Sequence, residues 1–260
     1  MPEPVSQLIK LSVNVNKVAT LRNSRGGRVP SVVEAVQVCI QAGAPGITVH
    51  PRPDARHITT QDVRDVSAIV RRTDGRVEFN IEGDPRPEFV ALVRDVRPDQ
   101  CTLVPVVPGE VTSQAGWPAS TPSDSLRAVI EAFRGDGIRV SLFVDAEPEP
   151  IAWAAELGAD RVELYTEPYA RAFERGGADR EGSFAKYVQS AAYAHSLGLG
   201  VNAGHDLDLH NLPLFATVPH VAEVSIGHAL ISHALFVGLE RSVREYLAAL
   251  LPSRVRPDSR

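Results

Sequence analysis

Eight short runs of β-branched and other apolar residues recur along the chain, each followed by a longer segment with apolar residues at helical spacing. They fall at 9–15, 47–50, 77–82, 101–105, 140–145, 161–165, 200–203 and 222–226. Strands and helices alternating in this way build repeated βα units on a parallel sheet. Several runs are nearly continuous apolar stretches, the pattern of strands covered on both faces. Eight such units close naturally, so the expected fold is α/β, a (β/α)8 TIM barrel with extra helices. A length of 260 residues suits that fold as one domain over 1–260, with 1–8 and 252–260 as frayed ends.

The punctuation agrees with this reading. Glycines 43, 158 and 198 stand where a helix must end and turn into the next strand, a place for the left-handed conformation. Ser31 with Glu34 forms a capping-box pattern, and Thr60 precedes another helix. A last helix is expected from 230 to about 251. Two stretches, 106–123 and 166–183, are rich in Gly, Pro and Ser and follow the fourth and sixth strands. Both should emerge at the C-terminal mouth of the barrel, where long loops act as lids or touch substrate.

Composition narrows the partners. With 27 basic and 32 acidic residues the net charge is −5, which gives no general attraction for nucleic acid or an anionic membrane. Cys39 and Cys101 lie in apolar runs and read as buried free thiols of a reducing compartment. The first residues lack a charged start followed by an apolar stretch, and no apolar run nears the roughly 20 residues of a membrane span. A soluble cytoplasmic protein is the expectation.

In this fold the reacting groups sit at strand C-termini. His50, Glu82 and Asp145 close apolar runs, while His205 and His228 follow others. Glu163 lies inside the sixth run, where an ionised carboxylate needs a cationic or hydrogen-bonding partner. His50, His205 and Glu82 make a workable proton-transfer set. Anion-binding groups gather at the same end: Lys17, Arg22 and Arg25 before Gly26-Gly27, then Arg52, Arg56 and His57. Gly227-His228 opens the last helix after strand eight, the usual phosphate position of such barrels. Two phosphate sites imply two phosphorylated ligands. No nucleophile elbow, P-loop or dinucleotide fingerprint is present.

Asn14-Val-Asn16-Lys17 with Arg25, Gly46-Ile-Thr-Val-His50-Pro-Arg52 with His57, Phe79-Asn-Ile-Glu82, Glu110-Val-Thr112, Val201-Asn-Ala-Gly-His205 and Ser225-Ile-Gly-His228 occur in this order between about Ile9 and Leu250. Together these motifs resemble the pyridoxine 5'-phosphate synthase family. The resemblance implies condensation of 1-deoxy-D-xylulose 5-phosphate with 3-amino-2-oxopropyl phosphate, without metal or organic cofactor, in a homo-octamer. It also implies His50 and Glu82 as proton acceptors, His205 as proton donor, and Glu163 as the carboxylate that stabilises a cationic transition state. Asn14, Arg25, Gly227 and His228 would hold the aminoketone phosphate. Arg52, His57 and Thr112 would hold the sugar phosphate, with the Thr112 loop as the lid. The chain departs from the common pattern at Asn16-Lys17, where many members carry an acid and an imidazole. It departs again at Asp206, where many carry glycine, and at Val106-Val107, where an acidic residue is frequent; Asn16, Lys17 and Asp206 remain candidate substrate contacts.

Two other readings fit the residues less fully. A metal-dependent barrel lyase or hydrolase could use His50, His205, His228 and Glu82 as ligands, which leaves the phosphate-binding groups unexplained. A barrel that only binds phosphorylated metabolites would not need three proton-transfer groups.

Overall fold

The computed structural model describes residues 8–105 and 115–251. Eight parallel strands close into a barrel in sequence order, with the eighth paired to the first. They are β1 (Lys10–Asn14), β2 (Gly46–Val49), β3 (Glu78–Gly83), β4 (Gln100–Leu103), β5 (Arg139–Val144), β6 (Arg161–Tyr165), β7 (Gly200–Gly204) and β8 (Val221–Ile226). The first half carries α1 (Asn16–Asn23), α2 (Val32–Gln41), α3 (Thr60–Arg71), α4 (Pro87–Val96) and α5 (Ser123–Gly135). The second half adds α6 (Pro148–Glu156), α7 (Glu167–Arg175), α8 (Gly177–Ser196), α9 (Leu212–Phe215), α10 (His228–Val237) and α11 (Leu239–Ala249).

The strands alternate rather than running continuously apolar. Leu11 and Val13, Ile47 and Val49, Phe79 and Ile81, Val162 and Leu164, and Val224 and Ile226 all join the core shared with the helices. The residues between them face the barrel interior and are polar. Ser12 Oγ lies 2.7 Å from Thr48 Oγ1, Asn80 Nδ2 donates to Thr48 Oγ1 at 3.3 Å, and Thr102 Oγ1 donates to Asn80 Oδ1 at 3.2 Å. Helices cover only the outer face of each strand. The inner face meets other strands across the barrel, where polar groups satisfy one another. At the N-terminal end the filling becomes charged: Lys10 and Arg139 each reach Glu78 at 3.1 Å, and Arg161 Nη1 donates to Asn202 Oδ1 at 2.7 Å.

The helix ends correct three expectations. Ser31 does cap α2 by accepting from Glu34 N, but the cap of α3 is Thr59, in a reciprocal box with Asp62; Thr60 is already helical. The final helix is two helices, α10 and α11, divided at Gly238, whose φ of 86° suits glycine. Residues 167–175 and 177–183 are helical rather than loop. Pro168 starts α7 and Gly176, at φ 70°, breaks α7 from α8, so residues that suggested a loop mark helix boundaries. Of the other long stretch, 106–114 lies outside the described residues. The joint glycines 43, 158 and 198 all adopt positive φ as expected, and Cys39 and Cys101 are buried free thiols.

Candidate active site

His50 follows β2 and Glu82 ends the inward row of β3, which places His50 Nδ1 3.9 Å from Glu82 Oε2 at the C-terminal mouth. Burial, reinforced by the nearby His57, Arg52 and Arg86, holds the His50 pKa well below the usual histidine range. Burial also pushes the Glu82 carboxyl up to about 8, against a hydrogen bond from Ser225, with Glu223 adding to the rise. Both groups are therefore neutral near pH 7, and their contact is not an ion pair. His50 Nε2 is buried with no hydrogen-bond partner among the described residues. A buried imidazole nitrogen left open beside a protonatable carboxyl is poised to exchange a proton with a third group.

The end of β1 fixes this pair. Asn14 Nδ2 donates to Glu82 Oε2 at 3.3 Å while Asn14 Oδ1 accepts from Asn16 N at 3.0 Å. Asn16 Oδ1 in turn accepts from His50 N at 2.9 Å. From β8, Ser225 Oγ donates to Glu82 Oε1 at 3.4 Å.

His205, just past β7, packs its ring against Phe143 at 5.0 Å and Tyr165 at 5.4 Å between centroids. Burial lowers its pKa, with Asp206 opposing and Lys17 assisting. His205 and Asp206 both take positive φ, 79° and 56°. Thr166 holds that turn by donating its hydroxyl to the carbonyls of Gly204, at 2.7 Å, and His205, and Asn211 Nδ2 donates to Asp206 O at 3.0 Å.

Glu163 lies deeper, and no cation pairs with it among the described residues. Its contact is the Thr102 hydroxyl, 3.4 Å from Oε2, and burial beside Glu82 and Glu223 raises its pKa well above the carboxylate range. With a hydroxyl but no cation beside it, Glu163 is a buried neutral acid. Gly204 makes room for it, because a Cβ there would stand 2.3 Å from Glu163 Oε1.

Among the anion-binding candidates, Arg52 and His57 are buried beside His50, whose ring centroid lies 5.9 Å from that of His57. His57 Nδ1 accepts from Ile58 N at 2.9 Å, so its neutral ring carries its proton on Nε2. Burial and then the Arg52 and Lys17 charges hold its pKa at about 4. Lys17 sits in the first turn of α1, and its charge bears on both His57 and His205. Arg22 is not free for phosphate: it forks onto Asp62, at 2.9 Å through Nη2, and also donates to His57 O at 3.2 Å. Asp62 gains more from partners than burial of its carboxylate costs, which makes Arg22 a strut between α1 and the His57 loop. Lys17 and Arg22 thus lie on a helix rather than on the expected loop. Arg25 stands exposed beyond the end of α1. Gly227 and His228 open α10, and a Cβ on Gly227 would come within 3.1 Å of Asn14, so this helix start adjoins the Asn14–Glu82 contact. Asp145 accepts from Gly116 N at 3.2 Å and serves the returning chain. Thr112 lies outside the described residues.

Sequence reasoning passed over Arg86, whose Nη2 donates to Pro51 O at 2.8 Å while Asp84 pairs with its other end. Phe143 and Tyr165, placed on the inner face by the register of β5 and β6, had no role in the sequence reading, and Val104, just past β4, appeared there only in the motif Leu103-Val-Pro that the family shares. Among the described residues no three His, Cys, Asp or Glu side chains are grouped as a metal ion would require, and no helix is long and apolar enough to cross a membrane.

A closed eight-stranded barrel with neutral histidines and a raised carboxyl gathered at its C-terminal mouth has the build of a TIM-barrel enzyme. The chain belongs to the family described as pyridoxal phosphate biosynthesis protein PdxJ, which it matches over residues 11–251. It is 54% identical over 240 residues to a pyridoxine 5'-phosphate synthase of Bacteroides fragilis, covering 92% of this chain and 98% of that protein. It is equally 54% identical, over 248 residues, to that of Xanthomonas campestris, covering 92% and 95%. Among solved structures, thiamine phosphate pyrophosphorylase from Pyrococcus furiosus shares the fold at a TM-score of 0.59 and 14% identity, covering 95% and 97%. Phosphoribosyl anthranilate isomerase from Thermotoga maritima does so at 0.60 and 13%, covering 93% and 98%.

Proposed function

We propose that this chain is a pyridoxine 5'-phosphate synthase of vitamin B6 biosynthesis, condensing 1-deoxy-D-xylulose 5-phosphate with 3-amino-2-oxopropyl phosphate to give pyridoxine 5'-phosphate, phosphate and water. The observation that carries the reading is the His50–Glu82 pair with its open Nε2, standing at the mouth of a barrel that belongs to this family. His50 and Glu82 accept protons as carbonyl and imine groups form and rearrange, and His205 donates from the opposite wall. Neutral histidines suit this work, since one ring nitrogen accepts while the other carries a proton. Glu163 acquires its charge when a cation develops beside it, because a nearby positive charge draws a carboxyl pKa down.

The amide and backbone groups at Asn14, Gly227 and His228, with Arg25, hold the aminoketone phosphate. Arg52, His57 and Thr112 hold the sugar phosphate. Asn16, Lys17 and Asp206 complete the substrate contacts, with Lys17 placing an ammonium near both His57 and His205. The chemistry draws on side chains alone and requires no metal or organic cofactor. A homo-octamer in the cytoplasm is part of the proposal. The exposed Leu235 and Phe236 on α10, with Leu21 on the adjoining α1, give apolar surface suited to self-association.

The test is to incubate purified protein with both substrates and follow phosphate release and pyridoxine 5'-phosphate by mass. Product that needs both substrates is the expected result; phosphate release that ignores the omission of either one contradicts the reading.

A further inference from the structure

The mouth of the barrel has two unlike walls. On β8, β1, β2 and β3 the inward groups are Ser225, Asn14, His50 and Glu82, joined by hydrogen bonds or close contact. On β5, β6 and just past β4 they are Phe143, Tyr165 and Val104, which form an apolar cluster of their own, separate from the core under the helices. Register places the two rings inward, since Phe143 pairs with Glu163 and Tyr165 with Gly204, both on the inner face. Phe143 and Tyr165 meet edge to face at 5.4 Å, and both rings touch His205. Tyr165 at 7% and Val104 at 4% keep a little exposed surface, while Phe143 at 0% lies behind them. Through His205, which both rings touch, the apolar wall borders the proposed proton-transfer groups.

Most of this barrel interior is polar, so an apolar triad at the reacting level needs a reason. If the function proposed above holds, the substrates carry oxygen or nitrogen on every carbon except one, the methyl group on the ketone of the deoxy sugar. We propose that Val104 and Tyr165, backed by Phe143, form the subsite for this methyl ketone end and select against a sugar phosphate with a hydroxymethyl group there. A hydroxyl pressed onto Val104 and the face of the Tyr165 ring would lose its hydrogen bonds to water, because neither surface donates or accepts.

The experiment measures kcat/KM by phosphate release, at saturating 3-amino-2-oxopropyl phosphate, with 1-deoxy-D-xylulose 5-phosphate and with D-xylulose 5-phosphate. Wild type is expected to favour the deoxy sugar by roughly 100-fold. Val104→Thr keeps the shape and adds a hydroxyl, and should shrink that preference about fivefold or more, mainly by losing kcat/KM for the deoxy sugar. Val104→Ala, which opens space for a hydroxyl, should shrink it in the same direction by admitting the other sugar, and covers the case in which the threonine variant does not fold. Equal use of both sugars by wild type, or an unchanged preference in a folded Val104 variant, overturns the subsite and leaves the activity standing. No turnover of either sugar instead removes the functional reading on which the subsite rests.

Discussion

His50 and Glu82 are held neutral by opposite routes, the imidazole by burial among cations and the carboxyl by burial beside another acid. If Glu82 must lose a proton before it accepts one, kcat/KM should climb with pH to a break near 8; a flat profile between pH 6 and 9 would count against that role. Glu82 from β3, His205 from β7, His57 and Arg52 from its own loop, and Arg86 ahead of α4 all face His50. The Arg86 cation disfavours protonated His50, so Arg86→Met should raise the His50 pKa and move the lower acid break of kcat/KM to higher pH. An unmoved break would make Arg86 only a loop anchor. At Asp206, φ of 56° strains a side-chain-bearing residue. Asp206→Gly should therefore add about 1 kcal/mol to stability in urea unfolding, and a loss of stability would show that the side chain supports the turn.

At the scale of elements, the strands were legible because β-branched runs between helix-ending glycines leave few alternatives, and all eight were placed within a few residues. The helices α7 and the start of α8 were not, because Pro168 and Gly176 serve equally as loop formers or as a helix start and a helix break. The polar inner face was present in the sequence as strict alternation, in Lys-Leu-Ser-Val-Asn from Lys10 and in Glu-Phe-Asn-Ile-Glu from Glu78. It was read as two-sided apolar cover because parallel strands are so often aliphatic. The start of α10 gives an element-scale prediction. Gly227→Ala sets a Cβ 3.1 Å from the Asn14 backbone oxygen, which should shift that helix start and lower kcat/KM roughly tenfold, checked by steady-state kinetics with the aminoketone phosphate varied. Unaltered kinetics would separate α10 from the proposed phosphate site.

At the scale of the whole molecule, the barrel interior holds the buried acids Glu82, Glu163 and Glu223. Glu82 at about 8 and Glu223 at about 7 both lie above the roughly 4.3 of an unfolded glutamate. Such groups bind protons more tightly when folded, so their stabilisation is complete below the unfolded pKa and disappears as pH rises through 7 and 8. The melting temperature should fall by several degrees from pH 6 to pH 9, and Glu223→Gln should flatten the decline; a rise would contradict the buried-acid account. Convergence of His50, Glu82 and His205 on one mouth was legible because each ends a strand. The Arg22–Asp62 strut was not, because nothing in residue type separates an arginine that binds phosphate from one committed 40 residues away.

Turnover of the two phosphorylated substrates by wild type beside His50→Ala, Glu82→Gln and His205→Ala tests this arrangement most directly. Each substitution should remove most product formation, roughly 100-fold or more, while circular dichroism shows the barrel intact. Near-normal rates in all three folded variants would contradict proton transfer at this mouth.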